Sequence, residues 1–175
     1  ALYMMAFYVV FALGLRGQTE GFVPFLLTGL VFWKWFAASV GQGSLSLMAH
    51  QHMIQQIYVP KWVFPLISIS VNAVRAAFIV VLMLLYLLFF EVGFLTSWAY
   101  LLPILLIQGL LIVGIAGLAA ALVPFVPDLT RMIDNGLIML MFMSGIFFDL
   151  KTFDPEVQFW LMLNPMAPLL VAARE

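Results

Sequence analysis

The sequence predicts an all-α integral membrane protein with a single transmembrane domain over residues 1–175, and three observations lead to this prediction. Hydrophobic residues make up 66% of the chain and charged residues 9%, whereas soluble domains average roughly 45–50% and about 25%. The mean hydropathy is +1.17. So few charged side chains cannot cover the apolar surface of so short a chain, which excludes a soluble enzyme and a disordered segment. The apolar runs are continuous rather than alternating, which favours helices over a barrel.

Charge and residue content exclude further classes of function. Seven Lys and Arg residues against eight Asp and Glu residues give a net charge of −1, so the chain has no basic field that would attract nucleic acid. It has no cysteine, and His50 and His52 point to different sides of a helix without a third ligand nearby, so we expect no metal site. No Gly-x-x-x-x-Gly-Lys-Ser/Thr loop occurs, and we expect no catalytic site and no cofactor on this chain.

Five stretches of the chain are interpreted as membrane-crossing helices. They cover about residues 1–15, 22–48, 62–90, 98–122 and 129–148. A crossing helix needs about 20 residues, so we expect the first stretch to be the end of a longer helix and the chain to be a fragment. Asp128, directly after Pro127, is the predicted N-cap of the last of these helices.

Residues 149–173 differ from the rest of the chain. Residues 149–156 are acidic and are predicted to form a solvated loop. Pro165 and Pro168 interrupt the apolar stretch that follows, and two prolines so close together oppose a straight crossing helix. The pattern instead predicts two short half-helices that enter the membrane and return, covered by protein or by a water-filled cavity.

Lys34 lies near the middle of the second predicted span, among aromatic residues. A lysine at the centre of a bilayer costs at least ~2.5–3.5 kcal/mol, which favours a position facing a partner or a water-filled cavity. If the helix is shifted, Lys34 can instead reach the membrane surface. The neighbouring rings can stack on sugar rings, or they can pack against lipid. The predicted substrate path consists of Trp33, Lys34, Trp35 and Phe36.

A short amphipathic segment, residues 49–58, connects the second and third spans. Its apolar residues recur at the spacing of one helix face, and Pro60 ends it. Such a segment is typical of a helix that lies on the membrane surface or in the groove of a partner protein.

Several motifs occur along the chain in a recognisable order. Residues 53–65, Met-Ile-Gln-Gln-Ile-Tyr-Val-Pro-Lys-Trp-Val-Phe-Pro, resemble the cytoplasmic loop of the permeases of type-2 ABC exporters. Gly29-Leu30 followed by Trp35-Phe36 resembles their second helix, and Ser144-Gly145-Ile146-Phe147 resembles the end of their fifth helix. Asn164-Pro165 with Arg174 resembles their Asn-Pro…Arg ending. The resemblance covers nearly the whole chain and is strongest for the branch that exports polysaccharides and polyol phosphates, such as O-antigen, capsule and teichoic acid.

The chain departs from the family pattern at a few positions. Gln55-Gln56 stand where the family has basic residues, and Pro127 precedes Asp128-Leu129 where the family usually has arginine. The family's N-terminal amphipathic helix and its sixth span have no counterpart in these 175 residues.

The resemblance implies that two copies of the permease pair around a channel, above two ATP-binding cassette ATPase subunits. ATP and Mg would bind to the ATPase rather than to this chain. The loop 49–61 would be the coupling helix that docks in the ATPase, and its contact residues would be His50, Gln51, His52, Met53, Ile54, Gln55, Gln56, Ile57 and Tyr58.

Residues 149–173 would form an external gate together with Ser144, Gly145, Asn164 and Pro165. The implied function is that of the permease subunit of an ATP-driven exporter, a multi-pass protein of the bacterial or archaeal inner membrane, surrounded by membrane lipids. Its implied substrate is a lipid-linked polysaccharide. Two alternatives stay open: a type-2 exporter of small drugs or lipids, and an ion-coupled carrier or channel that works without an ATPase.

Overall fold

A computed structural model describes residues 22–56, 58–90, 100–148 and 154–174. Every regular element in these ranges is an α-helix, which confirms the predicted all-helical class. We number the helices in chain order: α1 Phe22–Ala49, α2 Gln51–Gln56, α3 Val63–Phe90, α4 Leu101–Leu122, α5 Leu129–Met143, α6 Pro155–Met162 and α7 Met166–Arg174.

Helix α1 lies at the centre of the bundle and contacts α3, α4, α5 and α7. Its residues Phe32, Phe36 and Val40 are spaced by four, so they form one buried stripe. Gly43 continues this stripe, and a Cβ atom there would lie only 2.9 Å from the Cβ of Ala116, so the backbones of α1 and α4 pass close together. The rest of the core comes from the neighbouring elements: Ile69, Ile104, Ile112, Ala116, Ile146, Met166 and Leu170.

The contacts between helices fix their directions. Phe32 lies beside Gln108, and Gly43 lies beside Ala116, so residue numbers rise together and α1 and α4 run in the same direction. Helix α5 runs opposite to α1, because residues near its start contact the second half of α1, whereas Ile146, just after its end, contacts Gly29. The short helix α2 links antiparallel α1 and α3 at one end of the bundle, called the α2 end below. The opposite end, called the α7 end, carries α6 and α7.

Helices occupy most of the ranges predicted to cross a membrane. Two of them, Val63–Tyr86 and Leu101–Leu122, are long and apolar enough to do so by length and composition. The first predicted span, residues 1–15, lies outside the described residues. The arrangement of five spans stays a prediction.

The fifth predicted span differs from the helix that the structure contains. Helix α5 ends at Met143 rather than at residue 148, because the chain turns at Ser144 and Gly145 and Gly145 adopts a φ of 73°. That left-handed conformation is one that glycine adopts without a steric penalty. Asp128 is the N-cap residue as predicted, but its side chain makes no capping hydrogen bond because its backbone is already helical.

Residues 154–174 form two short helices, separated at Leu163–Pro165. Pro155 starts α6 and Pro168 lies in the first turn of α7, positions where the missing N–H of proline removes no helical hydrogen bond. Glu156 therefore belongs to a helix rather than to the predicted solvated loop. Residues 149–153 lie outside the described ranges, and the entry of this segment into a membrane stays a prediction.

Candidate functional site

The four residues of the predicted substrate path do not share one environment. Trp33 and Phe36 are 3% and 2% exposed and belong to the core, where their ring centroids lie 5.4 Å apart. Trp35 is partly buried and packs against the core, close to Gly109 of α4. Lys34 is exposed. Successive residues of an α-helix point in different directions, so of these four side chains Lys34 alone points out of the described bundle. A role in the path stays a prediction for all four.

Lys34 shares a stripe of α1 with the half-buried Gly41 and the exposed Leu45, since these positions repeat at helical spacing. Helix α5 approaches this stripe: the Asp134 Oδ1 atom lies 4.0 Å from the position that a Cβ on Gly41 would take. The exposed polar residues of this stripe and of α5 define a surface that we call the polar face, formed by Lys34, Arg131, Asp134 and Asn135.

The polar face matters because polar side chains in a hydrocarbon environment are costly. Helix α5 places Arg131, Asp134 and Asn135 at helical spacing, so they occupy one side of that helix. Neither a cation nor a carboxylate is stable against lipid chains unless it faces water or a protein partner. The polar face is thus suited to line an aqueous path or an interface, and unsuited to contact lipid.

Two buried amides connect helices inside the bundle. The Gln108 Nε2 atom of α4 donates to the Phe32 carbonyl of α1 at 2.8 Å. The Asn72 Nδ2 atom of α3 donates to Gln42 Oε1 at 3.0 Å and to the Ser68 carbonyl at 3.0 Å. Sequence reasoning did not single out either amide. A signal was present for Gln108, because it is the one polar side chain of α4, and a lone amide in an apolar helix is typical of a bond between helices.

The predicted coupling segment forms α2 and the turns that flank it. His50 is directed back to the bundle, since its Nδ1 atom lies 2.8 Å from the Ser46 carbonyl oxygen and its ring stacks on Phe64. The other contact residues with described side chains are largely exposed, and Ile54 is half-buried: Gln51, His52, Met53, Ile54, Gln55, Gln56 and Tyr58. Ile57 lies outside the described residues. The described part of the chain holds no group of three side chains suited to bind a metal ion.

Two apolar side chains of this segment, Met53 and Tyr58, pack little within the chain. Met53 is 52% exposed and Tyr58 is fully exposed. Next to them, a cavity of about 770 Å³ opens between the ends of α1 and α4 and the start of α3. Its lining is largely apolar, with Gln51, Gln55 and Lys61 as its polar members. The α2 end therefore presents both an exposed amphipathic helix and a groove beside it.

The predicted gate residues meet at the α7 end. Asn164 connects two elements, because its Nδ2 atom donates to the Leu140 carbonyl of α5 at 3.2 Å and its Oδ1 atom accepts from the Met166 amide at 3.1 Å. Ser144 Oγ donates to the Met141 carbonyl at 2.9 Å and closes the last turn of α5. Gly145 follows in its left-handed turn, whereas Pro165 is exposed.

Arg174, quoted above only as part of a motif, completes this end of the molecule. Its Nη1 atom donates to the Gly145 carbonyl at 2.8 Å and its Nη2 atom to the Ile146 carbonyl at 3.2 Å. Its Cζ atom lies 3.4 Å from the centre of the Phe25 ring. The guanidinium also lies against Gly29, where a Cβ atom would overlap it. One side chain of α7 thus contacts both α1 and the turn that follows α5.

These features define a helical protein with long apolar helices, an exposed connecting helix at one end and two short, bonded helices at the other. Comparison with known proteins agrees with this class. The chain is similar to two proteins described as O-antigen export system permease protein RfbA of Klebsiella pneumoniae, 26% and 24% identical over 175 residues, which are 99% of this chain and 68% of each relative. It is also similar to an O-antigen export system permease protein RfbA of Myxococcus xanthus, 26% identical over 175 residues, 98% of this chain and 66% of the relative.

The similarity to these permeases runs over nearly the whole chain, as the motif resemblance did, and it confirms the resemblance to type-2 ABC permeases for O-antigen export. No protein-family model matches the chain. Together with the two long apolar helices, these relatives indicate a membrane protein.

Proposed function

We propose that this chain is the permease subunit of an ATP-driven exporter that moves an O-antigen-like, lipid-linked polysaccharide across the inner membrane. The observation that carries the proposal is the similarity over nearly the whole chain to three O-antigen export permeases. The permease performs no chemistry on the polymer: it provides the path, and a separate ABC ATPase, which binds ATP and Mg, supplies the energy.

The α2 end is the proposed contact with the ATPase. Helix α2 is short, projects between two long helices and keeps apolar side chains such as Met53 and Tyr58 exposed. Exposed apolar side chains rimmed by polar ones are typical of a surface that docks in a partner groove. In this arrangement the α2 end faces the cytoplasm, and movement of the ATPase reaches α1 and α3 directly, because α2 connects them.

The polar face is the proposed wall of the translocation path. Two copies of the chain that pair through this side would enclose Lys34 and the polar residues of α5 between them and keep them away from lipid. A cationic side chain at the middle of such a path attracts anionic sugars and the diphosphate of a lipid-linked polymer. The α7 end is then the external exit, and α6 and α7 lie across it.

Complementation of a strain that lacks the permease tests the proposal. The full-length protein is expressed with its ABC ATPase, and surface polysaccharide is measured together with copurification of the ATPase. We expect surface polymer to return only when both proteins are present and the ATPase hydrolyses ATP. Drug resistance or lipid efflux without surface polymer, or transport that continues without the ATPase, would contradict the proposal. A hydrolysis-deficient ATPase is the matched control, because it leaves the assembly intact.

A further inference from the structure

The side chain of Arg174 holds together three separately placed parts of the α7 end. It belongs to the last residue of α7, bonds two carbonyls after α5 and packs on the Phe25 ring of α1. We infer that Arg174 is a positioning residue, a tie that keeps α7 seated across the end of the bundle and has to release before this end opens. The role of Arg174 at the exit of the path rests on the proposed function. Its effect on how firmly α7 is held against the bundle does not.

The first contact of the tie is with the turn after α5. Gly145 has a φ of 73°, and this conformation turns the carbonyls of Gly145 and Ile146 to the same guanidinium. The planar guanidinium presents several N–H donors in a fixed arrangement, so it bonds two neighbouring acceptors at once, which an ammonium group does less well. Hydrogen bonds from a charged donor are also stronger than bonds between neutral groups.

The second contact of the tie is with α1. Phe25 and Gly29 are four residues apart and share one face of the helix. The cation lies over the face of the Phe25 ring, an arrangement stabilised by the ring quadrupole. Gly29 leaves the space that the guanidinium fills, since a Cβ atom there would overlap Arg174 and approach the Ile146 side chain to 3.3 Å. A side chain at position 29 would therefore force the guanidinium of Arg174 to move.

The remaining contacts of α7 show why one tie has a large effect. The described part of α7, Met166–Arg174, packs on the bundle through tertiary contacts that determine its position. Met166, Ala167 and Leu170 are fully buried. Apolar contacts are not directional, so by themselves they do not fix the orientation of α7. The hydrogen bonds of Arg174, at the end of α7, and of Asn164, before its start, fix that orientation. Removal of either set of hydrogen bonds should let α7 separate from the bundle more often.

Thiol labelling measures how often α7 leaves its seat. The 175 residues contain no cysteine, so Leu170→Cys gives one buried reporter on α7, once any cysteine in the rest of the full-length protein is replaced by serine. A maleimide is added to the full-length permease with its ATPase in detergent, so that it reaches both ends of the molecule whichever way the chain lies in a membrane. We expect Arg174→Gln to increase the labelling rate at position 170 about tenfold or more, because bonds to a charged donor are lost.

Two further variants separate the tie from a general loss of structure. Arg174→Lys keeps the charge but not the paired donors, so its labelling rate should lie between those of the parent and Arg174→Gln. Gly29→Ala favours the helix yet displaces the guanidinium, so it should increase labelling as Arg174→Gln does. The double variant should be labelled no faster than Arg174→Gln alone, because both changes remove the same contact.

The control is Arg75→Gln, which removes an exposed arginine of α3 outside the polar face and should leave the labelling rate unchanged. The tie is refuted if Arg174→Gln is labelled at the parent rate, or if the effects of Arg174→Gln and Gly29→Ala multiply in the double variant. If Arg174→Gln does not accumulate in membranes, Gly29→Ala decides between the same two outcomes. Because labelling requires no transport, an increased rate in a protein that exports no polysaccharide supports the tie and contradicts only the proposed function.

Discussion

At the α2 end the side chains of Gln51, His52 and Met53 are exposed, whereas at the α7 end those of Asn164 and Arg174 bond backbone carbonyls of other elements. Both ends contain short helices, so the difference does not come from secondary structure. It comes from the side chains themselves: Asn164 and Arg174 bond within the chain, whereas Gln51, His52 and Met53 are exposed. The comparison suggests that the α7 end is built to keep a shape and the α2 end to bind another protein.

The largest effect is expected from a charge in the exposed apolar side of α2. Met53→Asp places a carboxylate where we propose an apolar contact with the ATPase, and copurification of the ATPase should fall at least about tenfold, since buried anchors at interfaces contribute about 2 kcal/mol or more. Surface polysaccharide should fall with it. The thermal midpoint of the isolated permease should stay within about 2 °C, because exposed substitutions change stability little.

The matched control for that variant is Met162→Asp, the same change on a side chain that is also exposed but lies near the α7 end. It should leave copurification of the ATPase unchanged. Equal loss in both variants would mean that α2 has no special role as a contact.

The second prediction concerns the hydrogen bonds of Asn164 at the α7 end. Asn164→Leu removes two hydrogen bonds of a buried side chain and leaves the Leu140 carbonyl and the Met166 amide without that partner. The free energy of unfolding should fall by about 2–3 kcal/mol, as expected for buried groups that lose their partners. Chemical or thermal denaturation in detergent measures this change. Gln55→Leu, an exposed amide at the α2 end, should leave stability unchanged, and similar losses in the two variants would remove the contrast between the ends.

A smaller effect is expected from Lys34, which lies between the two ends on the polar face. Lys34→Met removes the cation from the proposed path, and surface polysaccharide should fall several-fold while protein amount and copurification of the ATPase stay normal. Arg75→Met is the matched control, because it removes an exposed cation from α3, outside the polar face. Unchanged export in Lys34→Met at normal protein level would remove Lys34 from the path.

Much of the helical architecture follows from the sequence because its signals are local. Continuous apolar runs predict the long helices, and Asn164-Pro165 marks the break before α7. The exposed connecting helix was also predicted, since its polar and apolar residues alternate at helical spacing. These features depend on neighbours within a few residues, and a single sequence contains that information.

The features that the sequence did not predict depend on distant partners. The early end of α5 requires Gly145 to turn left-handed beside Arg174, a residue far along the chain. Burial of Trp33 and Phe36 but not of Lys34 depends on the rotation of α1 against its neighbours. An apolar helix carries little periodic signal for that rotation, because residues on every side are hydrophobic.

The smallest effect is expected in the middle of the bundle, where the question is whether a side-chain hydrogen bond holds helices together as at the α7 end. Gln108→Leu removes the hydrogen bond from α4 to the Phe32 carbonyl. That carbonyl also accepts a backbone hydrogen bond within α1, so it keeps a partner. The stability should fall by about 0.6–1.7 kcal/mol, the size measured for hydrogen bonds between membrane helices. Denaturation in detergent measures it, and Gln108→Glu serves as the contrast, because a buried carboxylate next to a carbonyl oxygen should cost more. If Gln108→Leu is as stable as the parent, α1 and α4 are held by packing alone and the bonded region is confined to the α7 end.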